Sequence, residues 1–539
     1  MTFSTLRALH ALIGEAIDDL ERLYAERSEP SDPLDFPSLD EPYYADAKHT
    51  SAQERAETMR IEPDVSFATQ RIVAACDQMS ATVNRPWFGL GAAVQGGQLA
   101  ACIGFMEAAH IVEILREAGS PQGLHVQDIY RLIMETRPSS VKAEPGGLAP
   151  HILSHILRTL ATPHWIREVS PDVFANNRRS SFIDSGTSLA QLRADPSRKY
   201  VNTNGASSLA GFCSDEILKI MGTFSEWLLP DIAAARQPDE AALEETVTLS
   251  KSYRSQTSNI DAVRYPTPFS LAFDTDMGYF AWLDLPENQS RLERFGHMMT
   301  GTRFWETKDE ALHGFPWAEL PPEAVLVDVG GGIGSTSLAI AQAHPNIHIV
   351  VEDRPQVIDM ADSAWGNEYA DLRNSGRVNW RSRDFMEDWE PLPSGQAPDA
   401  FLLRLVLHDW PDEDARRILR QLRKGAGPRT KLIIGDMLLL HACHNTDSKR
   451  AAPDSPLLSN MGVANIQNYL IDNMASELRT AQSNFRSLLI AAFQMTAMFA
   501  SMERTEDEMA RLLLSAGWEM AEVRRSPGAI WAYSTAIPV

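Results

Sequence analysis

The chain is predicted to carry an α/β domain, a Rossmann-like, doubly wound and mostly parallel sheet, behind a mainly helical N-terminal region. Three observations point there. The apolar run Ala324-Val325-Leu326 leads into Val327–Gly334, VDVGGGIG, and then into a helix-like segment, Ser335 to Ala343. The next apolar run, Ile347–Val351, ends in Glu352-Asp353. Val378–Arg381, Ala400–Leu405, Leu432–Asp436, Trp518–Val523 and Trp531–Thr535 then read as later strands of the same sheet. Strand, glycine turn, helix and acid-ended strand form one half of a nucleotide-binding sheet. The glycines let the backbone pass close to a ligand, and the acid can accept hydrogen bonds from ribose hydroxyls.

The glycine pattern bears on which ligand. A dinucleotide fingerprint, G-x-G-x-x-G/A, rests a pyrophosphate on the helix N-terminus. Here Gly330, Gly331, Gly332 and Gly334 run together, and Ser335 takes the third fingerprint position. Asp328 lies just before the turn, where a carboxylate opposes a diphosphate. Both features suit a ligand without phosphates, such as S-adenosylmethionine, whose ammonium and sulfonium groups are cationic. Taken alone, the motif is also compatible with a glycine-rich turn that binds nothing.

Ahead of the sheet, residues 1–25 form one helical pattern, with Glu15, Asp18 and Asp19 inside its apolar spacing. That is an amphipathic helix, not a signal peptide. Residues 27–60, rich in Ser, Pro, Asp and Glu, read as a linker or extended arm. From Val65 to Leu115 the spacing is helical with a glycine-broken middle at Gly89–Gly97, and residues 100–119 read as one long buried helix closed by Gly119. Helices at His125–Glu135 and Leu148–Thr159 precede Trp165–Val169 and Val173–Ala175, which alternate around the turn Ser170-Pro171-Asp172. Helix, helix and β-wing predict a winged helix. Its second helix has only Arg158 beside His151 and His155, so a dimerising role is expected rather than DNA binding. Residues 205–300 are again helical, interrupted by a polar stretch near 237–267. The expected divisions are 1–60 (helix and linker), 61–300 (helical, winged-helix) and 301–539 (sheet domain, with a polar insertion near 441–484).

A chain of 539 residues is too long for one ordinary domain, and its 44% hydrophobic content is enough for globular cores. The formal net charge of −23 argues against nucleic acid or an anionic membrane as the main partner. With no run of about 18 apolar residues, no transmembrane helix is expected. Cys76, Cys102, Cys213 and Cys443 lie far apart without a C-x-x-C, which fits reduced thiols and a cytoplasmic location. Cys443 between His441 and His444 is read as accidental, and no metal site is expected.

Several blocks together resemble the fungal and plant S-adenosylmethionine-dependent O-methyltransferases that carry an N-terminal winged-helix dimerisation domain. They are VDVGGGIG (327–334), EDRPQVI (352–358), RDFME (383–387), LRLVLHDWPDEDARRIL (403–419), LIIGDMLL (432–439) and ERTEDE (503–508). HDWPDEDARRIL is the most specific, and the resemblance spans roughly residues 65–539. The first 60 residues, the polar stretch and the insertion depart from the family. The resemblance implies that Asp328, Gly330 and Gly332 line the methionine end of the cofactor, that Asp353 holds the ribose, that Asp384 and Phe385 flank the adenine, and that Arg404 is a basic cofactor contact.

His408 carries the chemistry. Pro411 can start a helix, Asp412, Glu413 and Asp414 complement its N-terminus, and Arg420, Arg423 and Lys424 lie near its end. His408 therefore sits at a strand C-terminus just before that helix, on the ligand-facing edge of the sheet. With an unperturbed pKa near ~6.5, its imidazole is largely neutral at pH 7 and can take a proton from a phenol. The resemblance places Asp436 and Glu503 as the acids that orient it. A carboxylate bonded to one ring nitrogen fixes the tautomer and raises the basicity of the other. Met298, Met299, Trp305, Met495, Met498 and Phe499 are expected to wall the substrate, since Met adapts to flat aromatic ligands, although such stripes are also ordinary core.

The function these residues predict is O-methylation of a phenolic or enolic hydroxyl on a polyketide-like secondary metabolite, by a homodimer. The alternative is a family member that uses S-adenosylmethionine without consuming it and catalyses a pericyclic step, where the cofactor charge stabilises the substrate. An intact His408-Asp409-Trp410 favours methyl transfer.

Overall fold

The computed structural model describes most of residues 2–229, 267–300, 310–439 and 495–539. The insertion expected near 441–484 and nearly all of the 237–267 stretch lie outside the described residues. The chain divides into two compact units.

One unit, Ile17–Ile61 with Asp77–Trp305, is mainly helical. Val126–Thr136 buries Val126, Ile129 and Ile133, spaced along one face of the helix. Pro150–Ala161 buries Leu153, Leu157 and Leu160 in the same manner. These stripes meet Met106, Ile111, Ile114 and Phe174 in one core. Strands β1 (Leu124–His125), β2 (Arg167–Ser170) and β3 (Val173–Ala175) form an antiparallel ribbon in the order β1-β3-β2. Asp172 turns between β2 and β3 at φ 62.

Three expectations are corrected in this part of the chain. Residues 27–60 are not linker throughout: Ser51–Met59 is a helix, started by a capping box between Thr50 and Gln53. The helix expected over 100–119 is two, Gly96–Ala108 and Ile111–Ala118, because His110 takes a left-handed φ of 55. Polar burial accompanies that break. Lys199, 4% exposed, pairs with Glu107 at 2.9 Å and donates to His110 Nδ1 at 3.1 Å. Helix periodicity carries no trace of a partner so distant in sequence. Finally, Pro86–Ala108 is a 23-residue helical run of mean hydropathy 1.3, long and apolar enough by length and composition to cross a membrane. Its Gly and Gln residues hid it from a search for continuous apolar runs.

The other unit, Met1–Ala16 with Glu62–Cys76 and Glu306–Val539, holds the sheet. Its strands are β4 (Ala324–Val329), β5 (Ile347–Asp353), β6 (Val378–Ser382), β7 (Ala400–Arg404), β8 (Lys431–Asp436), β9 (Leu438–Leu439), β10 (Arg504–Thr505), β11 (Trp518–Arg525) and β12 (Ala532–Pro538). Seven of them order as β11-β12-β8-β7-β4-β5-β6, parallel from β6 to β8, with β12 and β11 antiparallel at the edge. The parallel strands are nearly continuous apolar runs because both faces are covered. Phe401, Leu403 and Ile434 pack toward the helix Asp412–Gly425 on one face, and Leu326, Ile349, Leu402 and Ile433 toward Ser335–Ala343 on the other. This is the predicted Rossmann-like, doubly wound fold.

Candidate active site

The chain runs outward from β4 to β5 and β6, then returns to β7 on the other side of β4. Loops leaving the C-terminal ends of β4 and β7 diverge there, and such a reversal is where this architecture opens a crevice. Every predicted cofactor residue lies at that sheet edge.

The β4 turn is tied down by its neighbour. Gly330 N–H donates to Glu352 O at 2.8 Å, and Gly332 N–H donates to Asp353 Oδ2 at 2.8 Å. Gly330 and Gly332 have φ of 69 and 61, a region costly to side-chain-bearing residues. A Cβ on Gly330 would stand 2.9 Å from Val406 Cγ2, whereas one on Gly332 would meet open space. Gly332 therefore presents bare backbone to a free volume.

Asp328 is 2% exposed and accepts Ser337 Oγ–H at 2.6 Å; burial pushes its carboxyl up to about 6. An adjacent cation would favour its charged form. Asp353 ends β5 half-buried, with Oδ1 accepting Arg354 N–H at 2.7 Å. Its two backbone bonds leave lone pairs free for a diol. Glu352, by contrast, is an internal ion-pair partner of Arg381 and Arg383, at 2.9 Å to the latter. Asp384 is exposed and caps its own turn through Met386 N–H at 2.8 Å. Phe385 stands edge-on to Trp410, 5.7 Å between centroids, within reach of the glycine turn. Arg404 Nη1 donates to Thr336 Oγ1 at 3.3 Å, just past the glycines.

Strand β7 ends at Arg404, one residue short of expectation, because Leu405 adopts φ 55. A left-handed leucine is strained and persists only where its surroundings over-determine it. Its N–H is tied to Gly435 O at 3.0 Å. The reversal feeds the single turn Leu407–Asp409, which presents His408 before Pro411 and the helix Asp412–Gly425.

Around His408 the acids differ in role. Glu503, 4% exposed, binds Nδ1 through Oε1 at 2.7 Å. Asp409 Oδ1 lies 3.5 Å from Nε2. Asp436, 1% exposed, has no hydrogen-bond partner among the described residues, so it reaches the ring through its charge alone. Burial pushes the imidazole pKa down, but Asp409 and Glu503 outweigh it and hold the ring at about 10. Burial likewise lifts Asp409 to about 6 and Asp436 to about 7. The expectation of a largely neutral ring at pH 7 is thus corrected: Asp409 and Glu503 favour the protonated ring, and Asp436, itself lifted by burial, adds less.

The residues 501–505 lie along this turn. Ser501 Oγ donates to the His408 carbonyl, Glu503 takes Nδ1, and Arg504 reaches the carbonyls of Leu407 and Trp410. Sequence reasoning kept Asp409 only as part of the intact His408-Asp409-Trp410 and gave no role to Asp409, Ser501 or Arg504 individually. The first and last stood next to residues it chose, inside HDW and ERT. Of the expected wall, Met498 is 4% exposed, Met495 and Phe499 are half-buried, and Trp305 lies outside the described residues. In the helical unit, Met298 is half-buried and Met299 is 41% exposed on the helix Gln289–Thr300.

A doubly wound sheet with a phosphate-averse glycine turn and an acid-held histidine on one edge defines a cofactor-using transferase architecture. Comparison with known proteins makes it particular. The O-methyltransferase domain family matches residues 295–463. An O-methyltransferase of Armillaria gallica is 33% identical over 528 residues, 96% of this chain and 95% of that protein. The 4-O-methyltransferase 1 of Phanerochaete chrysosporium is 33% identical over 531 residues, 97% of this chain and 96% of its own. The chain belongs to the O-methyltransferase family. Among solved structures, LepI in complex with SAM shares the fold at a TM-score of 0.56 and 15% identity, covering 91% of this chain and 100% of that one.

Proposed function

We propose that the protein transfers a methyl group from S-adenosylmethionine to a phenolic or enolic hydroxyl of a small polyketide-like secondary metabolite, as a cytoplasmic homodimer. The observation that carries this reading is the His408–Glu503 pair at 2.7 Å, on the same sheet edge as Gly332 and Asp353. Bound there, the cofactor supplies an electrophilic methyl on a sulfonium. Asp328, Gly330, Gly332, Asp353, Asp384, Phe385 and Arg404 would hold it. The open space at Gly332, the buried acid Asp328 and the spare lone pairs of Asp353 fit such a cation-bearing nucleoside. Met495, Met498 and Phe499, in the unit that carries His408, are proposed to wall the acceptor.

His408 handles the acceptor proton. A ring held at about 10 matches an ordinary phenol, whose pKa is also about 10, so the proton passes between them at little cost. Because the ring is already charged at neutral pH, the acceptor's own proton leaves to solvent and its oxygen is bound as the anion, with Nε2–H donating to it. Asp409 and Glu503 keep that proton on the ring while the oxygen acts as nucleophile. Turnover of ordinary phenols should rise with pH from 7 toward about 10, whereas acidic enols should show a flat profile.

The apolar helix Pro86–Val94 supports the homodimer, since Trp87 is 77% and Phe88 57% exposed. Pericyclic chemistry would leave the cofactor unconsumed. The retained histidine–acid set and the two O-methyltransferase relatives favour methyl transfer over it.

The test is a panel of phenols and reactive dienes with labelled S-adenosylmethionine. Labelled product and S-adenosylhomocysteine should form one to one. His408→Ala should lower turnover by about 10²–10⁴-fold, the usual contribution of a positioned acid–base group, with cofactor affinity kept. Product without S-adenosylhomocysteine would overturn the reading in favour of a pericyclase.

A further inference from the structure

We propose that Arg504 is a positioning residue for His408, a buried guanidinium that clamps the turn carrying the histidine through the carbonyls on either side of it. This rests on His408 as the proton-handling group. Arg504 is 2% exposed. Its Nη1 donates to Leu407 O at 2.8 Å and its Nη2 to Trp410 O at 2.7 Å, one residue before and two residues after His408. Nε donates to Asp412 Oδ1 at 3.0 Å, at the start of the next helix. One planar fork thus engages both shoulders of a single turn and the helix that follows it.

The neighbours of Arg504 make the clamp specific to the histidine. Ser501 Oγ donates to the His408 carbonyl, and Glu503, adjacent in sequence, holds the ring at Nδ1. The segment is itself anchored by strand β10, whose Arg504 and Thr505 pair in parallel with Leu438 and Leu439 of β9, directly beyond Asp436. Arg504 therefore sets the distance between the turn that bears His408 and the segment just before β10 that bears Glu503. A strained Leu405 at φ 55 lies upstream, so the turn needs such an external hold. Lysine keeps the charge but offers a point donor, and cannot span two carbonyls and a carboxylate in one plane.

The experiment uses the full chain with three variants, Arg504→Lys, Arg504→Ala with and without guanidinium, and Asp412→Asn. Turnover and KM are measured with an acceptor that the wild type methylates, S-adenosylhomocysteine affinity by calorimetry, and the His408 ring proton by NMR titration. In Arg504→Lys, kcat should fall by about 10–100-fold, the scale of a misplaced catalytic group, while KM and S-adenosylhomocysteine affinity stay within about twofold. His408 should titrate at lower pH, because its contact with Glu503 loosens. Guanidinium should restore part of the turnover of Arg504→Ala.

Wild-type turnover and wild-type His408 titration in a folded Arg504→Lys protein would overturn the proposal. So would parallel losses of affinity and kcat, which mark a general structural role. Should Arg504→Lys fail to fold, Asp412→Asn decides: its carboxyl is 55% exposed and meets the fork at Nε and Nη2 without touching the His408 turn's carbonyls itself. A lowered kcat with a lowered His408 titration supports the clamp, and no change in either refutes it. If the wild type methylates nothing, the methyl-transfer reading falls, while the NMR titration still tests the clamp.

Discussion

His408 faces a different acid at each ring nitrogen, Glu503 at Nδ1 and Asp409 near Nε2, and that arrangement favours the ring with both protons on. The folded pKa, about 10, is raised from 6.5. The stabilisation from this pairing is therefore complete below about pH 6.5 and is lost as pH rises through about 10. Glu503→Gln removes one of the two charges, so His408 should titrate below its wild-type value in an NMR experiment. The variant should also lose less thermal stability than wild type between pH 7 and 10. An unmoved titration would mean that Asp409 alone holds the proton. His408 and Glu503 were legible in the sequence as members of recognisable blocks. Ser501 and Arg504 were not, because what matters about them is a contact across some ninety residues of chain; Asp409 stood beside His408, and only the turn that folds its carboxylate back toward Nε2 gives it a role.

Elements of the sheet were legible where apolar runs are punctuated by glycine or acid, as in β4, the glycine turn and β5. Their ends were less so. Leu405 reads as a strand residue, yet its left-handed conformation stops β7 and aims the next turn at the crevice. The glycine turn itself offers a test at this scale. Gly330→Ala adds a left-handed strain of about 1–2 kcal/mol to a contact of 2.9 Å with Val406 Cγ2, so Tm should fall by several degrees. Gly332→Ala meets open space and carries only the conformational strain, so its Tm should fall less. Its affinity for S-adenosylhomocysteine, measured by calorimetry, should nevertheless drop, since the new methyl fills the volume assigned to the cofactor. Full affinity in Gly332→Ala would move the cofactor away from that space.

At the scale of the whole molecule, a charge of −23 coexists with an apolar helix left exposed by the described residues. Along Pro86–Val94, Trp87, Phe88, Leu90 and Val94 are 77%, 57%, 58% and 71% exposed. Contiguous apolar surface of this kind marks an interaction site. A second copy of the chain is the occupant proposed here. A Trp87→Ser, Phe88→Ser double variant should be monomeric by light scattering at micromolar concentration, under conditions where the wild type should be a dimer. Transfer of the wild type, but not the variant, to neutral lipid vesicles would point to a membrane instead.

The sequence by itself determined the doubly wound sheet, the glycine turn, the helical N-terminal half and the identity of the histidine with its acid partner. These are written in local periodicity and short motifs, which depend on neighbours a few residues apart. Tertiary structure alone decided the charge state of His408, the separate roles of Glu503 and Asp436, the break at His110 and the clamp of Arg504. Each depends on burial and on charges brought together from distant parts of the chain. A carboxylate's influence on a ring nitrogen is set by distance and desolvation, and neither has a local signature in the order of residues.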